Sequence, residues 1–165
     1  MDRTRLRRKP QRGSHDRAVI DSILDEALGG LPGMTPPYVP NDRTSSYYHY
    51  RVRLDPAAIG LGHVAPTVFR DALGQALLAT GVGCELWHTE PAPAFPVFAD
   101  RGYDPADYPE ANRMLDSSLV ICEARYPIFL QSTELIEQYA ATIRSVMADP
   151  ERFLGSAATP PPVPA

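Results

Sequence analysis

The sequence predicts an α+β fold in one domain, a sandwich of about three strands packed with three to four helices. Three observations lead there. The chain has 165 residues with 44% apolar and 22% charged side chains, enough length and ordinary composition for a buried core. Two segments read as strands by alternation, "YYHYRVRL" (47–54) and "GCELWH" (83–88), and "LVICEA" (119–124) is a continuous apolar run of the central-strand type. Between and around them, apolar residues recur at helical spacing.

In chain order, residues 1–15 form a basic arm expected to be disordered, followed by a single domain over 16–154 and a proline-rich tail over 155–165. A leading helix begins at Asp16, with Val19, Ile20, Ile23, Leu24, Ala27 and Leu28 on one wide apolar face, and Gly29-Gly30 ends it near residue 30. "LPGMTPPYVPNDRTS" lies in a linker (31–46), because its prolines and turn residues break a helix. The core over 47–154 opens with the first strand, which places Tyr48, Tyr50, Val52 and Leu54 on one face and Tyr47, His49, Arg51 and Arg53 on the other. A second helix spans Pro66 to Thr80, with Phe69, Leu73, Ala76 and Leu77 as its stripe and Gly81 as its stop. The second strand aligns Cys84, Leu86 and His88 on one face against Glu85 and Trp87. Residues 89–108 read as a long loop, a common seat of function. A short helix over 108–118 and the apolar strand follow. The last helix starts near Ser132, carries Glu134 in its first turn and is ended by Pro150.

Charge is unevenly placed. Residues 1–17 hold seven basic and two acidic side chains, a local +5; the whole chain is −4, so the rest carries −9. A basic head can touch nucleic acid or an acidic partner, but the acidic body has no broad footprint for nucleic acid, and no nucleic-acid partner is expected. No apolar run is long enough to span a membrane, and the basic start is not followed by an apolar segment, so neither a membrane anchor nor a secretory signal is expected. Two cysteines give no disulfide framework, and a cytoplasmic location is the default. Fifteen of the sixteen basic residues are arginine. Lys9 is the only lysine, which excludes an amine nucleophile from the folded body.

The chemistry-bearing motifs are sparse. Cys84 and His88, with Cys122 and His49 on neighbouring strands, are weighed against a metal set, but a small buried cysteine accounts for the pattern and no metal is expected. Burial also works against Cys84 as a nucleophile. No glycine-rich phosphate loop and no G-x-S-x-G elbow occurs. Asp100, Asp104, Asp107 and Glu110 read as solvated loop carboxylates rather than an acid–base pair. Arg125, at the end of the apolar strand beside Tyr126, is either an anion-binding fork or a surface arginine paired with Glu123.

Four stretches in order resemble the DegT/DnrJ/StrS family of pyridoxal-phosphate-dependent aminotransferases: "VIDSILDEALGGLPGMTPPYVP" (19–40), "SSYYHYRVRLDP" (45–56), "FRDALGQALLATGVGCELWHTEPAPAFPVF" (69–98) and "YPEANRMLDSSLVICEARYPIFLQSTELIEQYAATIRSV" (108–146). The resemblance covers residues 19–148 and is to the C-terminal, small domain of that family, with "HTEPAPAF" departing from the commoner wording. It implies a small antiparallel sheet like that of the fold-type I small domain. The cofactor domain that carries the Schiff-base lysine is missing from the likeness, and Lys9 in a polar arm does not replace it. The resemblance therefore implies no catalytic or cofactor-binding residue in this chain, and pyridoxal phosphate only through a partner.

Two functions follow from it. One is the small-domain subunit of a split aminotransferase, a heteromer with a large-domain subunit that supplies lysine and cofactor, in amino-sugar or secondary-metabolite biosynthesis. In this reading the apolar face of the first helix docks the partner. His88, Arg125, Tyr126, Tyr47 and Tyr48 contact a small-molecule substrate, a sugar or an amino acid. The other is a non-catalytic binding or regulatory module derived from the same domain. A cofactor-independent enzyme resting on the loop carboxylates ranks last. A chain cut from a longer protein is a further reading, against which Met1 and the basic leader weigh.

Overall fold

Four short strands, β1 (Met34–Thr35), β2 (Tyr50–Leu54), β3 (Cys84–Glu85) and β4 (Ser118–Ile121), make one antiparallel sheet in the order β1-β2-β4-β3. The computed structural model describes residues 14–43, 45, 48–122 and 127–157. Five helices complete it: α1 (Ser14–Leu28), α2 (Pro66–Ala79), α3 (Pro109–Asp116), α4 (Thr133–Met147) and α5 (Pro150–Ala157). The expected α+β class holds, with one more strand than the alternation suggests. β1 sits in the stretch taken for a linker: too short to show a period, it is fixed by pairing Met34 with Leu54 and Thr35 with Arg53.

β2 and β4 form the centre. Tyr50, Val52 and Leu54 alternate into the core, and all of β4 is buried, as a central strand requires. Tyr48 departs from the expected face: β2 begins only at Tyr50, and Tyr48 is 57% exposed ahead of it. β3 is also shorter than the alternation predicts. It ends at Glu85, so Leu86 and His88 are exposed rather than aligned with buried Cys84. The following stretch leaves the sheet through short 3-10 turns at 92–94, 96–101 and 105–107, where closely spaced prolines favour turns over a ladder.

The helices cover one face of the sheet. α2 buries Phe69, Ala72, Leu73 and Leu77, and ends in a Schellman turn. There Gly81 takes a left-handed φ of 86°, with Val82 N–H donating to the Leu77 carbonyl and Gly81 N–H to that of Leu78. α4 buries Ile136, Ala140, Ile143 and Met147 on one stripe, and the Ser132 hydroxyl caps it by accepting from Leu135 N–H. Glu134 is held below the ordinary carboxylate value first by its own backbone N–H and then by the Ser132 hydroxyl.

Two corrections concern the ends of the domain. α4 ends at Met147, just before Pro150 as expected, but Pro150 then starts a further helix, α5, where none is expected: proline is well suited to the first turn of a helix, and Asp149 accepts from Arg152 N–H there. Phe153 of α5 then packs edge-on against Phe69, with ring centroids 5.4 Å apart. At the other end, α1 packs on α4. Leu24 and Leu28 are fully buried and Ile20 nearly so, while Asp25 accepts a 2.6 Å hydrogen bond from the Tyr50 hydroxyl. The apolar face expected to dock a partner is covered by this chain's own helix.

Candidate functional site

The site forms on the sheet face away from the helices, and the register sets what it presents. Tyr50, Ile121 and Cys84 are cross-strand neighbours in the core; one residue on, Arg51, Val120 and Glu85 form a row on the opposite face. Arg51 is half-buried, and its Nη1 donates to Ser118 Oγ at 3.0 Å. Burial pulls Arg51 down from the ordinary arginine value. Among the described residues the ion pairs are Arg43–Asp42, Arg70–Asp71 and Arg113–Glu110, so Arg51 has no carboxylate against it.

Where β3 gives way to the loop, Trp87 lies over this face and gathers an aromatic cluster. Its ring is 3.9 Å from His49, 5.7 Å from His88 and 6.5 Å from Tyr48, centroid to centroid. Tyr48 meets His49 edge-on at 4.5 Å, and His88 lies against Phe95 at 5.2 Å. Among the described residues His49 Nε2, which is buried, has no hydrogen-bond partner. Desolvation is the main cause that lowers the His49 pKa from 6.5; Glu85 opposes it, while Arg51 and His88 add to it.

Of the five residues singled out in the sequence, the structure brings two, His88 and Tyr48, to the edges of this cluster with Trp87 between them. Both are exposed. Tyr47, Arg125 and Tyr126 lie outside the described residues, as does Glu123, the alternative partner of Arg125. Sequence reasoning passed over His49, Arg51 and Ser118 as a group. The strand alternation put His49 and Arg51 on one face, but the partner strand that adds Ser118 is known only from the register.

The other motifs take structural roles. Cys84 is buried and its thiol donates to the Gly74 carbonyl at 3.4 Å. Cys122 is buried with a left-handed φ of 69°, unusual for a side-chain-bearing residue, where the chain leaves β4. Asp104 accepts from Ala106 N–H, and Glu110 pairs with Arg113. Among the described residues no group of three His, Cys, Asp or Glu side chains is placed to hold a metal ion, and no helix is long and apolar enough to cross a membrane. A cleft of about 530 Å³ opens elsewhere, between α2, α4 and α5, lined by Ala72, Ala76, Val146 and Phe153 among others.

The described residues do not supply the group from which pyridoxal-phosphate chemistry starts. That group is a lysine amine, and the described residues contain no lysine. What the open face offers is binding: aromatic surface, an imidazole edge and a guanidinium.

No family model matches the chain, and no curated protein matches it. Solved structures do, and they are aminotransferases. The aminotransferase TlmJ from Streptoalloteichus hindustanus is 24% identical with a TM-score of 0.62, over 81% of this chain and 31% of that one. DesV of S. venezuelae, solved with a ketimine intermediate, is 18% identical with a TM-score of 0.63 over the same shares. A DegT DnrJ EryC1 StrS aminotransferase from Brucella abortus is 17% identical with a TM-score of 0.58, over 79% of this chain and 30% of that one. At these identities the likeness is one of fold. This chain spans about a third of the length of the aminotransferases it matches.

Proposed function

We propose that this chain is the small-domain subunit of a split pyridoxal-phosphate-dependent aminotransferase, completed by a separate polypeptide that carries the cofactor domain. One observation carries the reading: four-fifths of the chain has the fold of one-third of an aminotransferase, and the described residues hold no lysine. The amino-sugar or secondary-metabolite setting is proposed from structures of similar fold, which include a 3-amino-5-hydroxybenzoic acid synthase (18% identical, TM-score 0.57).

The partner's place is on the open sheet face. α1 is already packed against α4, and the exposed large apolar side chains include Tyr48, Leu86 and Trp87 together with Val97, Phe98 and Tyr103 of the long loop. In the assembly this loop closes over bound substrate and excludes water. His88 and Tyr48 contact polar groups of the substrate, and Arg125, with Tyr126 and Tyr47 beside the entrance, binds its carboxylate or phosphate. None of these groups moves the proton that the cofactor chemistry requires; that falls to the partner's lysine.

The test is affinity capture of the tagged chain from its source cells, followed by transamination assays of the captured protein with and without this chain. A captured protein that holds pyridoxal phosphate and turns over only with this chain present supports the proposal. Tight association with an aminotransferase already fully active alone assigns the chain to the regulatory class instead, and no association with any such protein defeats both.

A further inference from the structure

The sheet face away from the helices contains two groups that the aminotransferase reading does not use and that find no charged or complete set of partners among the described residues. Arg51 is a half-buried guanidinium whose only described partner is a neutral hydroxyl, Ser118 Oγ. Glu85 lies in the same row but across β4, and among the described residues no ion pair joins it to Arg51. Among the described residues no carboxylate pairs with Arg51, and a partly desolvated guanidinium is better matched by an anion than by a neutral hydroxyl. Two residues earlier on the same side, His49 keeps a buried Nε2 with no hydrogen-bond partner among the described residues. Both groups donate hydrogen bonds once His49 is protonated, and a bidentate edge of Arg51 remains free while Nη1 holds Ser118.

We propose that Arg51, Ser118 and His49 form an oxyanion site on the open face of the sheet, with Trp87 as its movable cover. The ligand class is a small carboxylate or phosphate. The anion accepts from the Arg51 fork and from His49 Nε2–H, and the Ser118 hydroxyl fixes the guanidinium. Trp87 lies tilted at 48° against His49, ring centroids 3.9 Å apart, and is partly exposed, so in the proposed site the ring turns aside for the anion to reach the buried nitrogen. The groups facing His49 are Glu85, Arg51 and His88, with Tyr48 and Trp87 as ring neighbours. Arg51 and His88 oppose its protonation now; a bound anion between Arg51 and His49 reverses the sign of that field. The site uses this chain alone and stands whether or not a cofactor-domain partner exists.

Trp87 is the only tryptophan, which makes the chain its own reporter. Intrinsic fluorescence of the full chain is titrated at pH 7 with sodium phosphate and, separately, sodium acetate, with ionic strength held at about 0.1 M by sodium chloride. The expected result is a saturable change with at least one of the two, and which one saturates identifies the anion class. Arg51→Gln weakens the response by about tenfold or more. Arg144→Gln, an exposed arginine on α4, leaves it unchanged. Far-UV circular dichroism of both variants confirms that they fold; should Arg51→Gln not fold, Ser118→Ala, which frees the guanidinium, weakens the response in its place. No saturable change, an equal change with chloride, or a response kept by the substituted site and lost in Arg144→Gln overturns the assignment.

Discussion

Replacing Leu24 by alanine separates two roles for α1. Leu24 is fully buried between α1 and the rest of the core, with neighbouring Leu28 equally covered. A buried leucine truncated to alanine loses the transfer free energy of the removed atoms and leaves a cavity, together about 2–5 kcal/mol. For a chain of this length each kcal/mol moves the melting temperature by about 2–4 °C, so the variant should melt roughly 4–20 °C lower. The assay is thermal and urea unfolding of the chain by itself, with the urea m-value unchanged to show that the same surface is exposed. Leu78→Ala, at an exposed position of α2, is the control and should stay within about 0.5 kcal/mol. If Leu24→Ala leaves the isolated chain as stable as the control does, α1 is not part of this core. Its apolar face would then be a docking face after all, and the assignment of the partner to the open sheet face would fail.

His49 gives the chain a pH-dependent stability. Its folded pKa lies below 6.5, so the unfolded chain binds more protons around that pH; the contribution is full above 6.5 and is lost as pH falls below it toward the folded value. Urea unfolding at a series of pH values should show this loss, and His49→Phe should flatten it; an unchanged profile in that variant would contradict the burial of the imidazole. Two glycines should respond with opposite signs to alanine. At Gly74, mid-helix, a Cβ would sit 3.7 Å from Leu119 Cδ1 and 4.0 Å from Cys84 Sγ, ordinary contacts, so Gly74→Ala should stabilise by about 0.5–1 kcal/mol. At Gly81 the φ of 86° makes Gly81→Ala destabilising by about 1–2 kcal/mol, and equal signs in the two melts would contradict the helix end drawn here.

The parts of the fold visible in the sequence are those with a period long enough to count. The stripes of α1, α2 and α4 and the alternation of β2 place their buried residues correctly. Elements fixed by pairing rather than pattern were not visible: β1 is two residues long, and β3 stops after Glu85 although "CELWH" keeps alternating. α5 was hidden by Pro150, since the residue that ends one helix equally well begins another. Buried Arg70 is a similar case. Nothing in its local sequence shows that Nη1 reaches 45 residues ahead to the Leu115 carbonyl, which ties α3 to α2. At the site, composition singles out Trp87 and His88 because those residue types are rare. Arg51 and His49 become a pair only once β4 supplies Ser118 and the loop brings Trp87 across the sheet.

The proposed function rests most directly on whether this chain makes an incomplete enzyme whole. The decisive measurement is the transamination rate of a lysine-bearing cofactor-domain protein captured with this chain, assayed alone, with the chain added, and with a chain carrying His88→Ala. The proposal predicts negligible turnover alone, restoration by the intact chain and a raised substrate KM with His88→Ala. Full turnover without the chain, or no gain on adding it, would contradict the proposal.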